Sequence, residues 1–162
     1  SVHRTVVFLS PNIVAVLDDA EHKTETEITL RWHTVSESTP DANGQFYVLG
    51  KKSALSGRVL RLDGDITYRL NHHEYQAPFN RMRLGNEFEQ RHEPFVKASA
   101  SDKKCRLLTL FAIYPNNNTT NPWQETETGW QIDTPNGQTN VQVKNNKLIV
   151  ESGPSNWQID LN

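Results

Sequence analysis

Residues 25–33 read ETEITLRWH, a stretch in which apolar and polar residues alternate. Its apolar residues Ile28, Leu30 and Trp32 alternate with polar ones, so the two kinds of side chain would point to opposite faces of an extended strand. Other short runs rich in β-branched and aromatic residues are separated by Asn, Asp, Gly, Pro and Ser. No stretch keeps a helical apolar stripe over three turns. The pattern indicates a fold built from strands.

Strands are predicted along the whole chain, and the most apolar run, residues 105–113, should be a central strand. Many short strands without helices favour a sandwich or a barrel. We predict one all-β domain over residues 1–162, an antiparallel β-sandwich of about ten to twelve strands with little or no helix. The predicted strands cover residues 6–9, 13–17, 25–33, 46–49, 59–62, 66–70, 94–100, 105–113, 129–133, 139–144, 147–151 and 157–161.

Two dipeptides carry hairpin signals between predicted strands. Asp63-Gly64 predicts a hairpin that joins residues 59–62 to residues 66–70. Asn145-Asn146 predicts a tight hairpin within a closing antiparallel meander.

Composition excludes several broad classes of protein. The chain has 162 residues, 35% of them hydrophobic, and a net charge of -2, so it predicts no nucleic-acid partner. No apolar stretch approaches the roughly 20 residues that span a bilayer, and the first residues do not predict a signal peptide. Because the chain starts inside a predicted strand, we expect it to be a piece of a longer protein.

The single cysteine, Cys105, allows no intrachain disulfide and is expected to be a buried, inert thiol.

Residues 71–93 differ from the rest, being rich in His, Arg, Asn and Glu, and they predict a long irregular loop. This loop contains a possible acid/base set, and its two arginines suit a carboxylate or a sulfate. We interpret it as a substrate-binding or domain-docking segment; the alternative is a solvated loop. The candidate residues are His72, His73, Tyr75, Arg81 and Arg83.

The four tryptophans invite a carbohydrate-stacking interpretation. Trp32, Trp130 and Trp157 lie in predicted strands with apolar partners, so core packing is expected for them. Trp123 follows Pro122 in a polar segment and is the best candidate for an exposed stacking platform.

Histidines near carboxylates are the other candidates for a site. His3 and His33 are predicted to be neighbours across paired strands with Asp18 or Asp19 close by. The spacing matches no metal motif, so we interpret these residues as a hydrogen-bonded set that ties strand ends together. The sequence predicts no metal, no cofactor and no catalytic residue in this chain.

Short motifs follow one another in a recognisable order in the first third of the chain. They are His3 with Arg4, VAVLDD at residues 14–19, His22, and the strand end Trp32-His33. This order resembles the C-terminal β-sandwich region of the heparinase II/III-like polysaccharide lyases. Residues 109–115, TLFAIYP, resemble a later strand of that region, and the resemblance covers roughly residues 1–115.

The resemblance implies a two-part bacterial enzyme, periplasmic or secreted, with an upstream α/α toroid packed against this domain. Such enzymes cleave uronic-acid-containing polysaccharides, glycosaminoglycans among them, by β-elimination, in which a base takes the C5 proton and a Tyr or His protonates the leaving oxygen. The family's catalytic Asn and Tyr lie on the toroid, and its catalytic His lies in a Gly-His-x-His segment that this sequence lacks. The isolated chain should therefore be inactive. The alternatives are an independent carbohydrate-binding module and a structural interdomain module.

Overall fold

The computed structural model describes residues 1–9, 11–84, 87–115 and 120–161, without the side chains of residues 82–90. The expected all-β antiparallel sandwich is confirmed: the described residues contain no helix, and eleven of their thirteen strands form two large antiparallel sheets. The strands are β1 Val2–Leu9, β2 Ile13–His33, β3 Gln45–Leu49, β4 Ser53–Arg61, β5 Thr67–Glu74, β6 Arg81–Leu84, β7 Glu87–Gln90, β8 His92–Pro115, β9 Gln124–Glu125, β10 Trp130–Thr134, β11 Gly137–Lys144, β12 Lys147–Ser152 and β13 Ser155–Asp160.

The first large sheet has the order β1-β2-β8-β4-β3, and β5 also pairs with β8. Residues 105–113 form part of the central strand, as predicted. The expectation of separate strands at 13–17 and 25–33 was wrong, because both belong to the 21-residue strand β2. Residues 94–100 and 105–113 are likewise joined in the 24-residue β8. A polar stretch between apolar runs does not end a strand when a neighbour continues to pair with it.

The paired strands β2 and β8 fold back on themselves. Their register shifts between Glu21 and Thr26, so that extra residues of β2 form a bulge and the ribbon bends there. Beyond the bend, the Trp32 indole N–H donates to the Thr109 hydroxyl over 3.2 Å, and its ring meets the Phe111 ring edge-on at 4.9 Å. In the ladder, by contrast, Trp32 pairs with Val96. The bend thus divides the sheet into two layers that pack face to face. The near layer consists of β1, β3, β4, residues 13–21 of β2 and residues 104–115 of β8. The far layer consists of β5, residues 26–33 of β2 and residues 92–102 of β8.

The predicted hairpin between residues 59–62 and residues 66–70 was wrong. Asp63-Gly64 does not close a hairpin, since β4 pairs with residues 107–115 of β8 and β5 with residues 92–99. The link instead crosses the bend from the near to the far layer. Arg61 fixes it there through ion pairs with Asp63 at 3.0 Å and Asp102 at 2.7 Å.

The second large sheet, β13-β12-β11-β10-β9, is the predicted closing meander. The tight turn at Asn145 and Asn146 is confirmed, with φ angles of 51° and 57° that Asn tolerates better than most residues. The meander covers the near layer, and the core between them joins residues from Leu9 to Leu161. A second core, which includes Phe46 and Val96, lies between the near and far layers.

The long irregular loop predicted at residues 71–93 was wrong for most of its length. Residues 71–74 belong to β5, and β6 and β7 form a separate two-stranded sheet. Only residues 75–80 link β5 to that hairpin without strand structure. Residues 71–74 are polar and still form a strand, because all four are exposed to solvent at the end of β5.

Candidate functional site

The far layer presents a row of cations on its outer face. Arg31 of β2, Lys97 of β8 and Arg69 of β5 lie directly opposite one another across the three strands. The adjacent positions Trp32 and Val96 point the other way, into the second core. Period-two alternation therefore forces the three cations outward. We call Arg31, Lys97 and Arg69 the basic row.

The basic row is only partly neutralised by the protein. Lys97 makes an ion pair with Glu27 at 3.0 Å, and hydrogen bonds from Lys97 and Ser99 lower the pKa of the Glu27 carboxyl. The Arg31 guanidinium lies 5.3 Å from the centre of the Phe95 ring. Among the described residues, neither Arg31 nor Arg69 has a carboxylate ion-pair partner. Both side chains are exposed and therefore available to an anionic ligand.

A cluster of ionisable and aromatic groups continues the same face toward the end of the layer. His73 pairs with Glu93 in the ladder, two positions beyond the pair of Asn71 and Phe95. The rings of His33 and His73 lie 6.1 Å apart, and those of His73 and Tyr75 lie 4.6 Å apart. We call His33, His73, Tyr75, Arg91 and Glu93 the end cluster.

Hydrogen bonds define the protonation of the end cluster. The Tyr75 hydroxyl donates to the Glu93 carboxylate, and this bond raises the pKa of Tyr75 and lowers that of Glu93. Arg91 also binds Glu93, at 2.7 Å, while its guanidinium lies 3.9 Å from the centre of the Tyr75 ring. At neutral pH, Tyr75 is therefore a phenol and Glu93 a carboxylate. Because the single hydroxyl proton of Tyr75 is donated to Glu93, its oxygen can accept a hydrogen bond from a ligand but has no second proton to donate.

The structure brings together some of the predicted site residues and separates others. His73 and Tyr75 belong to the end cluster. His72 points to the opposite face of β5, where its Nε2 lies 3.0 Å from a Glu37 carboxylate oxygen. Arg81 is exposed at the start of β6, and the side chain of Arg83 lies outside the described residues.

The expectation that Trp123 is an exposed stacking platform was wrong. Only 3% of the residue is exposed, and it belongs to the first core. Its backbone N–H donates to the Gln45 side chain at 3.1 Å, and its carbonyl accepts from Arg58 at 3.2 Å. The polar residues around Trp123 in the sequence gave no sign of this, because its hydrogen-bond partners and its neighbours in the first core are distant along the chain. The other three tryptophans are partly buried against the two cores, as expected.

The predicted His3–His33 set does not form. His3 pairs with Asp19 in the ladder, whereas His33 lies at the end of β2 beside Phe95. Both aspartates instead form ion pairs with arginines, Asp18 with Arg4 at 2.5 Å and Asp19 with Arg106 at 2.7 Å. Within the described ranges, no group of three or more His, Cys, Asp or Glu side chains could hold a metal ion.

The basic row was missed in the sequence. Each of its members occupies an ordinary polar position of a strand, and the three lie far apart along the chain. Only the pairing register of β2, β8 and β5 brings them into line.

No known family model matches the chain, and no curated protein is detectably similar to it. No helix in the described part of the chain is long and apolar enough to cross a membrane.

Proposed function

We propose that this chain is the C-terminal β-sandwich domain of a heparinase II/III-like polysaccharide lyase, and that its far layer binds the acidic polysaccharide. The full-length enzyme would perform β-elimination on a uronic-acid-containing chain with residues of an upstream α/α toroid. The domain described here would hold the polymer. The observation that carries the proposal is the basic row of Arg31, Lys97 and Arg69.

Electrostatics favours an anionic ligand on this face. Like charges placed directly opposite each other across strands destabilise a sheet. Two unpaired guanidinium groups on either side of Lys97 therefore cost stability unless an anion binds them. With strands about 4.8 Å apart, the basic row spans roughly 10 Å and could meet successive carboxylates or sulfates of an extended polymer. Arg also binds such groups in a bidentate manner.

The end cluster extends this face with groups that suit a sugar polymer. The His73 ring can exchange hydrogen bonds with sugar hydroxyls, and the Tyr75 oxygen, whose proton is donated to Glu93, can accept from them. The Arg91 guanidinium is held beside these groups by its ion pair with Glu93. Basic row and end cluster together make one polar strip along the outer face of the far layer.

Affinity electrophoresis of the chain in gels that contain heparin, alginate or hyaluronan tests the proposal. We expect retardation by at least one of these polymers and about a tenfold weaker affinity for the double variant Arg31→Gln/Arg69→Gln, because two exposed charge contacts of about 0.7 kcal/mol each are lost. Lys23→Gln/Lys103→Gln removes the same charge from two exposed positions near the bend and should keep full affinity. If both double variants lost the same affinity, the binding would depend only on the net charge of the chain, and the basic row would not be a specific site.

The enzymatic half of the proposal has a separate test. The isolated chain, incubated with heparan sulfate, alginate or chondroitin, should release no product that absorbs in the unsaturated uronate band. Robust turnover by this chain alone would contradict the assignment of catalysis to an upstream domain. The sequence immediately upstream of Ser1 is a second check, since a Gly-His-x-His segment there would support the family.

A further inference from the structure

The outer face of the five-stranded meander has an unusual composition. The two central rows of side chains across this face are, by register, Gln124, Gln131, Asn140, Glu151 and Asn156, and then Gln142, Ile149 and Gln158. Six of these eight residues are amides, one is acidic and one is apolar. We call these eight residues the amide face.

The amide face is solvent-facing because the alternate positions build the first core. Val141 and Val150 are fully buried, and Trp130 and Trp157, their partners in the same row, are packed against that core. The face lies on the meander, whereas the basic row lies on the far layer, and the near layer separates the two. A ligand of the amide face would therefore be independent of the proposed acidic polysaccharide.

Folding alone does not favour this composition. Asn is depleted in β-strands, yet Asn140 and Asn156 occupy strand interiors here. Outer faces of soluble domains are ordinarily covered by Lys, Arg, Glu and Asp, which give solubility through charge. Uncharged amides give less of that benefit, so their concentration in two adjacent rows calls for another role.

Amides suit hydroxyl-rich, uncharged ligands. Each carries two N–H donors and an acceptor oxygen, which matches a sugar hydroxyl that both donates and accepts. Part of the face is already held in place: Gln131 donates to Gln124 at 3.1 Å, and Asn156 donates to Glu151 at 3.2 Å. Ile149 offers an apolar contact for the C–H face of a sugar ring. A hollow of about 300 Å³ opens at the β9–β10 side of the face, lined by Gln131, Asn140, Gln142 and Glu151 among others.

From this combination we propose that the amide face is a binding site for an uncharged polysaccharide. The ligand would lie across β10, β11 and β12 and be bound by hydrogen bonds rather than by ion pairs. Its binding should consequently be almost insensitive to salt, unlike that of a polyanion at the basic row.

Affinity electrophoresis with soluble β-1,4-glucan, β-1,3-glucan, xylan and galactomannan tests the site. We expect at least one polymer to retard the chain equally at 0.05 and 0.5 M salt, and Gln131→Ala/Asn140→Ala to weaken that binding at least tenfold. The matched control Asn71→Ala/Gln76→Ala removes two amides from other exposed positions and should bind as the wild type does. Urea denaturation of both variants confirms that each is folded.

Three results would overturn this inference. They are the absence of retardation by all four polymers, equal binding by both double variants, and self-association of the wild type that the Gln131→Ala/Asn140→Ala variant loses in light scattering. The last would assign the face to a second copy of the chain. The Arg31→Gln/Arg69→Gln variant should bind neutral polymer as the wild type does, because the two sites lie on different sheets. A negative result with the neutral polymers would therefore not count against binding of acidic polymers at the basic row.

Discussion

Replacing Arg58 by methionine should lower the free energy of unfolding by about 3 kcal/mol. Removing the charge of its ion-pair partner, Glu125, should change the stability far less. The Arg58 side chain is only 8% exposed and lies between the near layer and the meander. Its three contacts are the Trp123 carbonyl at 3.2 Å, the Asn43 carbonyl at 3.3 Å and the Glu125 carboxylate at 3.0 Å. Methionine keeps most of the buried stem and removes all three hydrogen bonds.

The three hydrogen bonds of Arg58 contribute differently to the free energy of unfolding, because their acceptors are buried to different degrees. The Trp123 carbonyl is buried, so leaving it without a donor costs about 2 kcal/mol. The Asn43 carbonyl and the Glu125 carboxylate can exchange Arg58 for water, because Asn43 is exposed and the Glu125 side chain is 70% exposed. Each therefore adds well under about 1 kcal/mol. Glu125→Gln should accordingly cost less than about 0.5 kcal/mol.

Urea denaturation of the wild type and the two single variants, followed by tryptophan fluorescence and by circular dichroism, measures these differences. Coincident curves from the two probes would support a single transition. If Glu125→Gln were as destabilising as Arg58→Met, the ion pair with Glu125 would dominate and the hydrogen bond to the buried Trp123 carbonyl would contribute little, contrary to this expectation.

Three further predictions concern strain, protonation and reactivity. Gly44→Ala should destabilise the fold by about 3 kcal/mol in the same denaturation assay, because Gly44 has a φ of 74° and an added Cβ would lie 2.3 Å from the Val59 carbonyl oxygen. Glu93 has a lowered pKa, chiefly through its bond from Tyr75, so its contribution is complete above the unfolded pKa of about 4.3 and is lost as the pH falls through the folded value. The stability advantage of the wild type over Glu93→Gln at pH 6 should therefore disappear in acid; an advantage that survived at pH 2 would contradict this. Burial raises the pKa of Cys105, so a thiol reagent should modify it at neutral pH only after unfolding, and rapid modification of the native chain would show that the thiol is accessible.

Local patterns in the sequence predicted those features of the fold that depend on neighbouring residues. Alternation in residues 25–33 identified the inner and outer faces of a strand, and Asn145-Asn146 identified its turn because Asn tolerates a positive φ. Both inferences need only the residues themselves and the geometry of one strand or one turn.

Features that depend on distant partners were not predictable in this way. Asp63-Gly64 has the composition of a hairpin turn, yet β8 is long enough to pair with β4 and β5 one after the other. Trp123 is buried in the first core, and its backbone is hydrogen-bonded to Gln45 of β3 and Arg58 of β4, 78 and 65 residues earlier in the chain. The basic row depends in the same way on the register of three strands. Periodicity tells which way a side chain points, and only the register tells what lies beside it.

The salt dependence of acidic-polysaccharide binding reports on the charges of the basic row. The affinity of the chain for heparin, alginate and hyaluronan would be measured by titration calorimetry at a series of salt concentrations. For at least one polymer, we expect the affinity to fall steeply with salt, and Arg31→Gln/Arg69→Gln to show a weaker affinity and a shallower slope. No binding at the lowest salt concentration, or an unchanged slope in the variant, would contradict the claim that the basic row binds an acidic polysaccharide.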